Sequence, residues 1–194
     1  MAENERRHTA QGQVRASAEG DAVSVAGYAA VFGEEADIGG MFREVIRKGA
    51  FTEALKRGDD VVFLVNHTGL PLARTRSGTL KLTEDDKGLL MEADLDADDP
   101  DVRAITGKMK RGDLDRMSFQ FRATNENWDD TQDPPLRSII EVELIDVAVV
   151  NSPAYEGTDI ALRSLEATRK SANNGAARRR IRMKRDLSER TLAR

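Results

Sequence analysis

The chain has 194 residues, of which 39% are hydrophobic and 33% charged, with no cysteine and a formal net charge of −4. That length holds one domain with a sizeable core and a surplus of chain, and the charged fraction assigns some residues to positions outside the core. Without cysteine, disulfides, thiolate catalysis and cysteine-based zinc sites are excluded, and the longest apolar run, residues 61–65, is too short to span a bilayer.

Taken in order, residues 1–20 are polar, mixed in charge and without periodicity, which predicts a mobile arm. They hold no apolar signal core, so the expectation is a soluble protein of a reducing compartment. Residues 22–32 (AVSVAGYAAVF) read as a strand with Gly27 as a bend or bulge. Residues 33–40 read as a loop, 42–46 (FREVI) as a short strand, and 51–56 as a short helix stopped by Gly58. Residues 60–66 (DVVFLVN) form an apolar run of strand length, buried on both faces, which delivers His67 at its exit. Residues 72–76 are a further extended piece. Residues 79–83 and 89–95 alternate around the turn EDDKG and predict a hairpin.

Asp99 and Pro100 open the best helix of the chain as N-cap and first helical residue, and Gly112 closes it behind Lys108, Lys110 and Arg111. Residues 116–121 (RMSFQF) then alternate strictly. Met117, Phe119 and Phe121 point one way, and Ser118 points the other, between Arg116 and Gln120. Residues 125–135 read as an acidic loop around Trp128. Residues 137–150 (RSIIEVELIDVAVV) read as a long strand paired with 116–121 as an antiparallel hairpin, broken by Asn151, Ser152 and Pro153. Residues 159–167 and the basic stretch 177–192 are expected to be helical. Many short strands, few helices and no β-α-β alternation argue for a mainly β, α+β fold, an antiparallel β-barrel or sandwich flanked by helices.

The charge is divided along the chain. Residues 168–194 hold 10 Lys and Arg against 2 Asp and Glu, and residues 1–167 hold 20 against 32. The expected organisation is an arm (1–20), a folded domain (21–167) and a basic tail (168–194). Nucleic-acid binding by that tail is disfavoured by the acidic body and by the lack of interleaved aromatics.

A hydroxyl on a rigid strand suits a nucleophile, and His67, on a loop at a strand end, suits a general base. His8 lies in the arm and is expected to be idle. With one histidine in the folded part, a metal site is poorly supported. A Ser–His pair needs a third group to orient the imidazole, and the long strand offers Glu141, Glu143 and Asp146. Glu141 and Glu143 share a face, and Asp146 falls on the other unless a bulge intervenes. A hairpin turn centred near Asp130 puts Ser118 opposite Glu143.

Several segments together resemble the prohead (capsid maturation) serine proteases of tailed phages, which are related in fold to the herpesvirus assemblins. They are the strand GYAAVF (27–32), KGAF (48–51), VNH (65–67), LART (72–75), SGTL (77–80), GD (112–113), RMSFQF (116–121), LIDVAVV (144–150) and SPAY (152–155). The resemblance implies an assemblin-like barrel and a serine endopeptidase that needs no cofactor. It implies His67 as the base, Ser118 as the nucleophile and Asp146 as the acid, with Glu143 as the alternative third member. The substrate it implies is the major capsid protein or its scaffold segment, cut in the host cytoplasm inside the prohead. Self-cleavage of the basic tail and a homodimer or higher assembly also follow. The sequence departs from the family pattern at Gln120, where Gly is usual, at Ala148, where Ser is usual, and at Ala73, where Gly is usual. Gln120 would narrow the site. The loop around Arg74 and Thr75 is the candidate for the oxyanion hole. The competing reading is a non-catalytic capsid-assembly or scaffolding protein with a protease-like fold, against which the joint presence of His67, Ser118 and an acid argues.

Overall fold

The computed structural model describes residues 4–8, 14–19, 22–151, 166 and 169–170. Its strands are β1 (Glu5–His8), β2 (Val14–Glu19), β3 (Ala22–Val31), β4 (Glu35–Ile38), β5 (Phe42–Ile46), β6 (Val62–Val65), β7 (Thr68–Arg74), β8 (Leu80–Glu84), β9 (Gly88–Asp96), β10 (Arg116–Asp129) and β11 (Leu136–Val150), with helices α1 (Thr52–Arg57) and α2 (Pro100–Arg111). All of them belong to the first of two units, Met1–Gly157 and Thr158–Arg194. The helices expected over 159–167 and 177–192, and the tail as a whole, lie outside the described residues.

The strands form two sheets. One runs β1-β10-β11-β5-β4, with β6 on β11 and β7 on β6; the other runs β2-β3-β9-β8. The fold is mainly β with two helices. No ladder joins the two sheets, so the expected barrel does not close among the described residues. The first sheet is also not purely antiparallel. β11 has fifteen residues, long enough to take two short strands end to end along one edge. β5 pairs in parallel with its first part, Leu136 to Ile139, and β6 in parallel with its last part, Asp146 to Val149.

One apolar core lies between the sheets. Val25 of β3 and Met91 of β9 meet Met117, Phe119 and Phe121 of β10 and Val147 of β11, all at most 1% exposed. Phe51, just before α1, stands edge-on to Phe119 with centroids 5.5 Å apart, and Phe119 stacks on Phe121 at 4.9 Å. Such pairs add about 0.5–1.5 kcal/mol each beyond their burial. β10 is therefore held by three core residues along five positions, which fixes the height and rotation of Ser118 between the first two.

The end signals of α2 act as the sequence predicts. Asp99 accepts a hydrogen bond from the Asp101 amide, and Gly112, at φ 81°, sends its N–H back to the last turn. Four segments differ from expectation. Residues 5–8 and 14–19, read as an arm without pattern, form β1 and β2. Residues 35–38, read as loop, form edge strand β4. Residues 125–129, read as an acidic loop, continue β10, because the polar residues there sit on a sheet end that water reaches.

The bulge expected near Gly27 falls between Tyr28 and Ala30, opposite Leu89 and Leu90. It draws the Ala30 carbonyl onto Gly88, where a Cβ would lie 2.0 Å from that oxygen. Gly88→Ala therefore forces the β3–β9 ladder apart. The expected result in thermal unfolding is a loss of about 1–3 kcal/mol, a drop of roughly 2–4 °C in Tm for each kcal/mol.

Candidate active site

Ser118 reaches the site by strand pairing. β10 and β11 are antiparallel, with Ser118 opposite Ala148 and Gln120 opposite Asp146. The expected pairing of Ser118 with Glu143 is incorrect. The hairpin connection runs over residues 130–135, further along than a turn centred at Asp130, and the ladder shifts register three times. Glu143 instead faces Arg122 and pairs with it at 2.5 Å, at a half-exposed position.

One of those shifts decides which acid joins the serine. Between the pairs Gln120–Asp146 and Phe121–Leu144, Ile145 is an extra residue of β11. A bulge of one residue reverses side-chain parity beyond it. Val142 and Leu144 before it, and Val147 and Val149 after it, all enter the core. Asp146 and Ala148 are thereby turned to the opposite face, the face of Ser118. This is the condition under which Asp146 and the two glutamates share a side.

His67 arrives from a tight turn. Val65 of β6 pairs with Thr68 of β7, so Asn66 and His67 are the two turn residues, and both have positive φ, 51° and 58°. Two-residue hairpin turns of this hand require that conformation, which asparagine tolerates and histidine adopts at a cost of about 1–3 kcal/mol. The turn is pinned to the end of β11. The Asn66 N–H donates to the Val149 carbonyl, and its side-chain oxygen accepts from the Asn151 N–H. The strained turn folds the His67 ring over the face carrying Ser118 and Asp146.

The three side chains form one hydrogen-bonded series. Ser118 Oγ lies 2.7 Å from His67 Nε2, and His67 Nδ1 lies 2.5 Å from Asp146 Oδ1. The His67 and Asp146 side chains are 5% and 7% exposed, and Ser118 is 4% exposed, so bulk water does not compete for these bonds. A carboxylate can only accept, so the Nδ1 proton faces Asp146 and leaves the Nε2 lone pair for the serine proton. Beside the serine, Ala148 packs with Leu64 and Val150 in a small apolar cluster on this face.

Three further expectations bear on the site. His8, expected to be idle, lies on β1 directly opposite Ser118. Burial, with the charges of Arg116 and Arg7 adding to it, pushes its imidazole below the ordinary histidine value. In the loop expected to hold the oxyanion, the Arg74 and Thr75 amides are both already engaged. The Arg74 N–H donates to Thr79 Oγ1, and the Thr75 N–H to the Val61 carbonyl. Gln120 does not close over the serine. Its side-chain oxygen accepts a hydrogen bond from Arg6 Nε at 3.1 Å.

Sequence reasoning missed the part that β1 plays in this site. Arg7 and Glu5 are 7% and 3% exposed and join Glu44 and Arg137 in a buried network of charges. Alternating Glu5 and Arg7 is the one signal that could have suggested a strand, and charged side chains on a buried face conceal it.

A family model described as caudovirus prohead serine protease matches residues 11–171. No curated protein and no solved structure matches the chain.

Proposed function

The chain belongs to the caudovirus prohead serine protease family, and from that premise we propose that Ser118, His67 and Asp146 cut segments of the major capsid protein or its scaffold by acyl transfer. His67 Nε2 takes the Ser118 proton as Oγ bonds to the peptide carbonyl carbon. Asp146 holds the ring in the right tautomer and stabilises the imidazolium that forms. His67 then gives the proton to the leaving amine, the C–N bond breaks, and an acyl ester remains on Ser118. Water, deprotonated by the same imidazole, hydrolyses that ester and restores the hydroxyl. The observation that carries the reading is the unbroken series from Ser118 through His67 to Asp146, with contacts of 2.7 and 2.5 Å.

The finer parts of the proposal are supported by the resemblance to the family and by the division of charge along the chain. The protease acts inside the prohead, as a homodimer or higher assembly with an assemblin-like arrangement. The folded domain takes in β1 and β2 as well as the expected 21–167, and the basic stretch 168–194 is the segment it removes from itself. Among the described residues, no helix is long and apolar enough to cross a membrane.

Co-expression with the capsid protein of the same phage tests this. The wild-type chain is expected to shorten the capsid protein, and Ser118→Ala to leave it at full length, as seen by intact mass. Equal shortening by both proteins, or by neither, removes Ser118 from the role.

A further inference from the structure

The edge of β10 beside Ser118 is already filled. β1 runs antiparallel along it, with Glu5 against Phe121, Arg6 against Gln120, Arg7 against Phe119 and His8 against Ser118. The register brings one carbonyl to the nucleophile: Arg7 O accepts a hydrogen bond from Ser118 Oγ at 2.7 Å. The same Oγ is 2.7 Å from His67 Nε2. A hydroxyl has one proton to give, so the backbone of β1 competes with the imidazole for it. A strand that only shielded a sheet edge would need no such register.

An extended peptide adds to a sheet edge through its backbone, and its alternate side chains are read by pockets. β1 meets both parts of that description. Its backbone is paired to β10, and its Arg7 side chain is inserted beside the core. Arg7 Nε donates to Glu44 Oε1 at 2.5 Å, Nη2 donates to Glu44 Oε2 at 2.8 Å, and the guanidinium stands over the Phe121 ring. A cavity of about 200 Å³ continues from there, lined by Glu34, Glu35, Glu44 and Phe119 among others.

We propose that the β10 edge is the substrate-binding edge of the protease, that β1 is its internal occupant, and that Glu44 selects an arginine or lysine whose carbonyl is presented to Ser118. This deepens the function proposed above and rests on Ser118 being the nucleophile. β1 and the substrate strand exclude each other, so a capsid segment enters only when β1 lifts away.

The charge arrangement makes the exchange feasible. When β1 leaves, it takes Glu5 and Arg7, one charge of each sign. Arg137 keeps Glu44 at 2.9 Å and also keeps Glu126. The vacated edge then holds two carboxylates around one guanidinium, and a cationic side chain entering the place of Arg7 restores the balance. An acidic side chain there would meet Glu44 at close range, and like charges so placed suppress a wrong partner. β1 is also only four residues long, so little ladder is broken on release.

The natural absence of cysteine permits a reversible test in the full-length chain. Arg6 and Gln120 face each other across the ladder, and facing residues of an antiparallel pair lie about 4.5–5.5 Å apart at Cα, within disulfide reach. In the double variant Arg6→Cys/Gln120→Cys, oxidation ties β1 down and reduction frees it in one and the same folded sample. The readouts are labelling of Ser118 by a fluorophosphonate and hydrolysis of short blocked peptides that differ only in Arg or Glu at the residue giving the acyl group. Labelling is expected to be at least about tenfold slower in the oxidised form than in the reduced form, because access scales with the open fraction. The reduced form is expected to prefer the Arg peptide over the Glu peptide by about tenfold or more in kcat/KM. Equal labelling of the two forms overturns the occupancy of the edge while leaving Ser118 a nucleophile. Equal hydrolysis of the two peptides overturns the selection by Glu44. Failure of the wild type and of both redox forms to label at all overturns the nucleophile itself, and this inference with it.

Discussion

Asp146→Asn is expected to lower kcat by about 10⁴-fold with little change in KM, the size of effect seen when a buried triad acid is made neutral without moving it. Asparagine keeps the shape of the side chain but can present an N–H to His67 Nδ1. The ring then turns its remaining proton towards Ser118, and the lone pair that should take the serine proton is lost. Glu143→Gln is expected to stay within a few-fold of wild type. Its partner is Arg122, and the pair is 36% and 44% exposed, a setting in which ion pairs contribute about 0–1 kcal/mol. The two variants thus separate the two acids that the sequence leaves open. Ser118→Ala and His67→Ala are each expected to lower kcat by roughly 10⁶-fold, and combining Asp146→Asn with Ser118→Ala to lower it no further, since the members of a triad act as a unit. Peptide hydrolysis at neutral pH, with far-ultraviolet circular dichroism as the check on folding, measures all of these. An Asp146→Asn protein of near wild-type rate beside a dead Glu143→Gln protein would reverse the assignment.

How far the sequence reached follows from which features are local. The alternation around Ser118, the caps of α2 and the β8–β9 hairpin depend on neighbours within a few residues, and each is readable from period and end signals. The partner of Ser118 across the hairpin is not local. It depends on the whole connection over residues 130–135 and on three slips in the ladder, none of which leaves a glycine or other marker at its position. The extra residue at Ile145 is the most consequential of these, because it decides the face of Asp146. The conformation of His67 is also hidden. Asn66 hints at a left-handed turn, but nothing in His67 itself announces a φ of 58°. β1 was invisible for a different reason. Its inward residues are Glu5 and Arg7, which read as solvated until Glu44 and Arg137, far away in sequence, are placed beside them.

Arg137→Ala is expected to cost about 3–5 kcal/mol of stability, the penalty for removing one partner from a buried charge network. Arg137 is 1% exposed, the largest of the fully buried side chains. Its guanidinium donates to both oxygens of Glu5, at 2.5 and 2.8 Å, to Glu44 at 2.9 Å, and to Glu126, and it stands beside the Trp128 ring. Without it, Glu5 and Glu44, each 3% exposed, share the single guanidinium of Arg7, and Glu126 loses its bonds to Arg137. Arg137→Lys is expected to recover only part of the loss, because an ammonium is a point charge and cannot span three carboxylates as a planar fork does. The contrast with Arg7→Ala is the informative one. Removing Arg7 leaves Glu44 still bonded to Arg137, so the cost is expected to be smaller and to fall on the docking of β1 more than on the fold. Urea unfolding followed by tryptophan fluorescence separates the cases, since Trp128 is the single tryptophan and lies against Arg137. A loss below about 1 kcal/mol for Arg137→Ala, the range of an exposed ion pair, would show that the network is not the joint that fastens β1, β5 and the β10–β11 hairpin together.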